Sequence, residues 1–100
     1  MAAKIHDYRP DCTDGVHVYV FHCPGCGWDH PYRVGPQAEG HPEPRWDWNG
    51  SFDAPSFTPS LMCNKGTPSQ CHCYVTDGRI QFIADSWHDL KGQTVDLPDY

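Results

Sequence analysis

The constraint that most limits this chain is Cys23-Pro24-Gly25-Cys26-Gly27. Two thiols in a C-x-x-C turn can grip one face of a tetrahedral cation, and a second pair from elsewhere must close the site. A later cluster, Cys71-His72-Cys73, and a lone His88 supply candidates for that pair. A chain gathered in this way takes part of its folding free energy from the ion.

It has reason to. Only 38% of its 100 residues are apolar, and the mean hydropathy is −0.67. Ten prolines and nine glycines interrupt any long regular element. Small domains with thin cores draw on a metal or on disulfides, and six cysteines permit either. The first residues, Met1-Ala2-Ala3-Lys4-Ile5-His6-Asp7, offer no apolar signal segment. No stretch approaches the roughly 18 apolar residues of a membrane span. Both points place the chain in a reducing compartment, where paired thiols bind metal more often than each other. A net charge of −6, with seven scattered Lys and Arg, argues against binding along phosphate backbones.

The expected architecture is a mostly β, small single domain of short antiparallel hairpins with a zinc knuckle and little helix. Residues 1–15 read as an irregular lead-in, and residues 16–100 as one zinc-stapled β domain. Val16 to His22 is β-branched and aromatic, hence a strand. Alternation puts Val16, Val18, Val20 and His22 on one face and His17, Tyr19 and Phe21 on the other. Trp28 to Val34 returns, with the knuckle at the hairpin tip. Residues 35–44 form a loop and Arg45 to Gly50 a short aromatic strand. Ser51 to Ser60 is extended but irregular, and Leu61 to Cys63 is a brief strand.

The clearest local signal is Asp77-Gly78, the pair preferred in a two-residue type I′ turn. It predicts a hairpin in which Thr76 faces Arg79, Val75 faces Ile80, Tyr74 faces Gln81 and Cys73 faces Phe82. Continued, the register pairs His72 with Ile83 and Cys71 with Ala84. Cys71, Cys73, Val75, Ile80, Phe82 and Ala84 then share the core face. Asp85 to Leu90 reads as one helical turn and Gln93 to Leu97 as a last strand.

The metal reading is one Zn2+ held by Cys23, Cys26, Cys71 and His88. His72 and His30 are alternative ligands or neighbours of the ligands. Cys73 reads as a buried thiol under Phe82, and Cys12 and Cys63 as isolated. A thioredoxin-like pair would need a helix after the motif, which Pro31 disfavours. His41-Pro42-Glu43 imitates part of a zinc deaminase signature, but the thiol motif precedes it and no helices accompany it.

Two stretches, WDWNGSFDAPSFTPS and CHCYVTDGRIQFIADSWHDLKGQTVDLP, carry a resemblance. With the knuckle, they resemble a family of small proteins of tailed phages and prophages. That family is a domain of unknown function often mislabelled as an ammonia monooxygenase. The shared positions are Cys23, Cys26 and His30, then Asp53, Pro55, Ser56, Pro59 and Ser60. They continue as Cys71, His72, Tyr74, Val75, Asp77, Gly78, Ile80 and Phe82, and end as His88, Leu90, Gly92, Thr94 and Val95. The resemblance implies a phage origin, a bacterial host cytoplasm with virion association open, and zinc binding. It implies no activity.

The function expected from these readings is non-enzymatic. Structural zinc holds a small domain that binds a protein partner, a host factor or a phage component. Trp46 and Trp48, on one face of a short strand, are a candidate partner surface, with core packing as the alternative. A zinc hydrolase with an open metal site is the second reading, and His30, His72, Asp85 and Asp53 are its possible supports. A single-strand nucleic-acid binder is the third; four tryptophans and five tyrosines allow it, and the missing basic groove disfavours it. Exposed strand edges make a homodimer conceivable.

Overall fold

The computed structural model describes residues 3–36 and 45–100. The His41-Pro42-Glu43 motif lies outside the described residues. The architecture is all-β, as expected, with eight strands in two antiparallel sheets and no helix among the described residues. None of it is long and apolar enough in helical form to cross a membrane.

The first sheet has β1 (His6–Asp7), β2 (His17–His22) and β3 (Asp29–Val34), in that order. The segment before residue 16, expected to be irregular, contributes β1, which pairs with Val20 and Tyr19 of β2. It also buries Ile5 in the core. A lone apolar residue flanked by polar ones was too short a signal to read as a strand. β2 and β3 form the expected hairpin, with Phe21 opposite His30 and His22 opposite Asp29. Tyr19 and Phe21 face the core, and Val20 is buried as well.

The second sheet runs β4 (Asp47–Trp48), β5 (Phe57–Cys63), β6 (Cys71–Thr76), β7 (Arg79–Phe82) and β8 (Thr94–Asp96). The β6–β7 hairpin has the predicted register from Thr76–Arg79 to Cys73–Phe82. Asp77 and Gly78 both have positive φ, 51° and 76°, as a type I′ turn requires. A Cβ on Gly78 would also press on Ala54 Cα at 3.2 Å. Past Phe82 the Ile83 amide still donates to His72 O at 2.9 Å, as the predicted pairing requires, and residues 84–92 then run as turns rather than as a helical turn.

The segment expected to be irregular before Ser60 is instead half strand. Phe57 to Ser60 belongs to β5, through a bulge between Phe57 and Leu61. Residues 49–56 close on themselves: Asn49 Oδ1 accepts from the Ser51 and Ser56 amides, at 3.1 Å each. Ser56 Oγ accepts from the Asp77 amide at 2.8 Å, and the Gly78 amide donates to Pro55 O at 2.9 Å. The Asp53 to Ser56 motif is thus a loop docked on the hairpin turn, and it sets where β5 begins.

Tyr32 of β3 stacks on Phe57 of β5, with centroids 4.0 Å apart and planes 5° apart. This contact joins the sheets. Such pairs contribute about 0.5–1.5 kcal/mol beyond their burial. Trp46 and Trp48, read as a candidate partner surface, are half-buried and packed against the core. Trp48 lies 4.2 Å from Tyr19, and the Trp46 indole donates to Ser60 O at 3.2 Å. A chain so poor in aliphatic residues closes its core with aromatic rings.

Candidate functional site

Strand β6 organises two groups of side chains, because successive residues on a strand point to opposite faces. Cys71, Cys73 and Val75 are buried, whereas His72 is half-buried and Tyr74 and Thr76 are exposed on the outer face.

On the inner face Cys71 meets the knuckle. Ligand atoms of Cys23, Cys26, His30 and Cys71 all lie within 4.8 Å of one another, and all four residues are buried. The knuckle is a tight turn: the Gly27 amide donates to Cys23 O at 2.9 Å, and the Cys26 amide points at Cys23 Sγ at 3.4 Å. His30 Nε2 is fully buried with no hydrogen-bond partner, a costly state for an imidazole nitrogen. The Cys71 thiol and burial push Cys23 up to about 12. Burial lowers His30, but the Cys23 sulfur beside it more than offsets this and raises it. A cation at the centre relieves all three problems, since it deprotonates thiols and occupies the nitrogen lone pair. The four donors fit a metal ion.

The structure therefore brings together three of the four sequence-expected ligands, Cys23, Cys26 and Cys71. The imidazole among them is that of His30. His88 sits behind Cys71, with Nε2 3.6 Å from Cys71 Sγ, and its ring meets Phe82 edge-on at 4.4 Å. Burial holds His88 below its ordinary value. Its Nδ1 accepts from the Leu90 amide at 3.3 Å, so the proton of a neutral ring is on Nε2, directed at the sulfur. Such outer hydrogen bonds orient a ligand and temper its charge.

Gly25 is shaped to this ring, because a Cβ there would collide with His88. We expect Gly25→Ala to destabilise the fold by about 1–3 kcal/mol, as overpacking does. His88→Ala in the same chain should recover most of the steric part. Denaturant titration of the two single variants and the double variant checks this, and additive losses would show that the two positions do not clash.

On the outer face His72 meets different chemistry. Its Nε2 is 2.9 Å from Ser60 Oγ on β5. Its Nδ1 is 3.3 Å from the Asp85 carboxylate. Ser60 and His72 are half-buried, and the Asp85 side chain is 46% exposed. Ser86, 3% exposed, grips the His72 backbone at both ends. Its Oγ accepts from His72 N and donates to His72 O, at 3.0 Å each. Gln70 Nε2 donates to Asp85 O at 3.1 Å. Nucleophile to base to carboxylate is the geometry of serine hydrolases, recognised by roles rather than by order along the chain.

Ser60 entered the sequence reading only through the resemblance, Asp85 only as a support for a metal-bound water, and His72 as such a support, as an alternative ligand and as a shared position of the resemblance. Alternation along β6 was the available signal. It turned His72 away from Cys71, so His72 needed a partner other than the metal. Asp53, the other proposed support, is in the docked loop, where its carboxylate accepts from Ser51 Oγ at 2.7 Å.

A family model described as "Bacterial ubiquitination-like system serine protease (BubE)" matches residues 4–83. That range contains Ser60 and His72 and stops two residues before Asp85. No curated protein and no solved structure matches. The match overturns the expected function. A metal-held domain acting only by binding a partner, a metal-dependent hydrolase and a single-strand nucleic-acid binder all give way to a protease-type family. Ser60 and His72 lie twelve residues apart on the neighbouring strands β5 and β6, with no short motif linking them in sequence.

Proposed function

The chain belongs to the family of bacterial ubiquitination-like system serine proteases, and we propose that it is a serine peptidase acting through Ser60, His72 and Asp85. The observation that carries this is the 2.9 Å approach of Ser60 Oγ to His72 Nε2, with Asp85 on the far side of the same ring.

The roles follow from the atoms. Ser60 Oγ attacks the scissile carbonyl carbon while His72 Nε2 takes its proton, which makes the hydroxyl nucleophilic. Asp85 accepts from Nδ1–H, holds the tautomer that leaves Nε2 free, and stabilises the imidazolium that forms. His72 then delivers the proton to the leaving amine, and the acyl group remains on Ser60 as an ester. Water, deprotonated by the same nitrogen, cleaves the ester and restores the hydroxyl.

The metal reading becomes part of the same proposal. Cys23, Cys26, His30 and Cys71 would supply four protein donors to Zn2+, the number that a structural zinc site takes. Held there, the ion would neutralise the buried thiolates and tie the β2–β3 hairpin to β6. Cys71 and His72 are adjacent, so an ion holding one fixes the strand that aims the other.

Ser86 positions His72 through its backbone without touching the reacting atoms. We expect Ser86→Ala to lower kcat by about 10- to 100-fold with KM nearly unchanged, because a small misplacement of a base costs rate rather than binding. Steady-state kinetics on a folded variant tests it, and a rise in KM with kcat unchanged would remove Ser86 from this role.

A further inference from the structure

A second histidine–carboxylate pair stands on the other sheet with a thiol in front of it. His17 of β2 puts Nδ1 2.8 Å from Asp7 Oδ2 of β1 and Nε2 3.5 Å from Cys12 Sγ. The other Asp7 oxygen accepts from the Arg9 amide at 2.9 Å, so the carboxylate is held on both sides. The Cys12 amide donates to Arg9 O at 3.2 Å, a turn that presents the thiol to the ring. The side chain is 17% exposed for Asp7 and 32% for His17, and Cys12 is half-buried. Tyr19 stacks on the His17 ring at 5.6 Å and 13°, which limits its rotation. The nearby charges are paired with each other: Arg9 contacts Asp14 at 3.2 Å and the Val16 carbonyl at 3.0 Å.

We propose that Cys12, His17 and Asp7 form a second nucleophilic site, a thiol one, whose substrates are activated acyl carbonyls. His17 Nε2 takes the Cys12 proton, and Asp7 fixes the tautomer that allows it. With p-nitrophenyl acetate the step balances: the sulfur attacks the carbonyl carbon, the new C–S bond forms and the C–O bond to the leaving group breaks. The thiol proton ends on His17, p-nitrophenolate departs, and Cys12 carries the acetyl group. The site is independent of Ser60, and its test does not use proteolysis.

The experiment uses the full, zinc-loaded Ser60→Ala chain, which removes acylation at the first site. Adducts of iodoacetamide and of p-nitrophenyl acetate are mapped by mass spectrometry at pH 7. Cys12 is expected to be the first thiol modified, at least about ten-fold faster than glutathione, since thiolate is the reactive form. His17→Gln should bring the rate down to that of glutathione, and Asp7→Asn should lower it several-fold. Circular dichroism confirms folding, and Asp7→Asn decides the matter if His17→Gln does not fold. Modification of Cys12 at the glutathione rate, or a rate unmoved by the variants, would reduce the cluster to a packing contact and overturn the proposal.

Discussion

Ser60→Ala should yield a folded protein whose peptidase turnover is lower by about 10⁴-fold or more, the scale seen when a serine nucleophile or its base is removed. The reason is geometric. Among the described residues, Ser60 is the hydroxyl within 3 Å of an imidazole nitrogen whose partner nitrogen faces a carboxylate. A fluorophosphonate reports on the same group without a known substrate, because it bonds to serine oxygens that a base has activated. It should add to Ser60 in the native chain and fail to add in Ser60→Ala or His72→Ala. Asp85→Asn should cost less than either, since the base survives and only its tautomer and stabilisation are lost. Label that persists in Ser60→Ala, or lands on another residue of the native chain, would end the assignment.

Metal removal is the second large effect. Purified under reducing conditions, the chain is expected to carry one zinc ion. Chelation should unfold it cooperatively, because binding free energies of structural zinc are on the order of 10 kcal/mol and this core is lean. His30→Ala should lose the ion, whereas His88→Ala should keep it with weakened affinity. The contrast follows from the buried, unpartnered His30 nitrogen against a His88 ring that already accepts from the Leu90 amide. Elemental analysis with thermal melts on the two variants decides it. A native melt in metal-free protein, or full metal retention in His30→Ala, would refute the ligand set. Loss of peptidase activity should accompany the loss of metal, since Cys71 and His72 share a strand.

What could be read in advance was local. Asp77-Gly78 gave the β6–β7 register because a type I′ turn leaves little freedom in the residues it joins. The knuckle was legible for the same reason, as its two thiols are held by one short turn. Trp46 and Trp48 were less legible, since an aromatic residue has the same appearance in a thin core and on a contact surface. Burial depends on what stacks against the ring, here Tyr19 for Trp48. The loop before β5 hid a strand because Pro55 and Pro59 mask its pattern. Phe57 still pairs with Val75, and the bulge absorbs the irregularity.

The composition and the turn residues determined that this chain forms short antiparallel hairpins and gathers thiols, since those properties follow from dihedral preferences and donor chemistry a few residues apart. Only the tertiary structure decided that His30 rather than His88 stands among the thiols, and that Ser60 lies under His72. Both depend on how one sheet packs on the other and on the pairing of β5 with β6. Side chains twelve to fifty residues apart meet there through the summed packing of the core, and no single stretch of sequence encodes that approach.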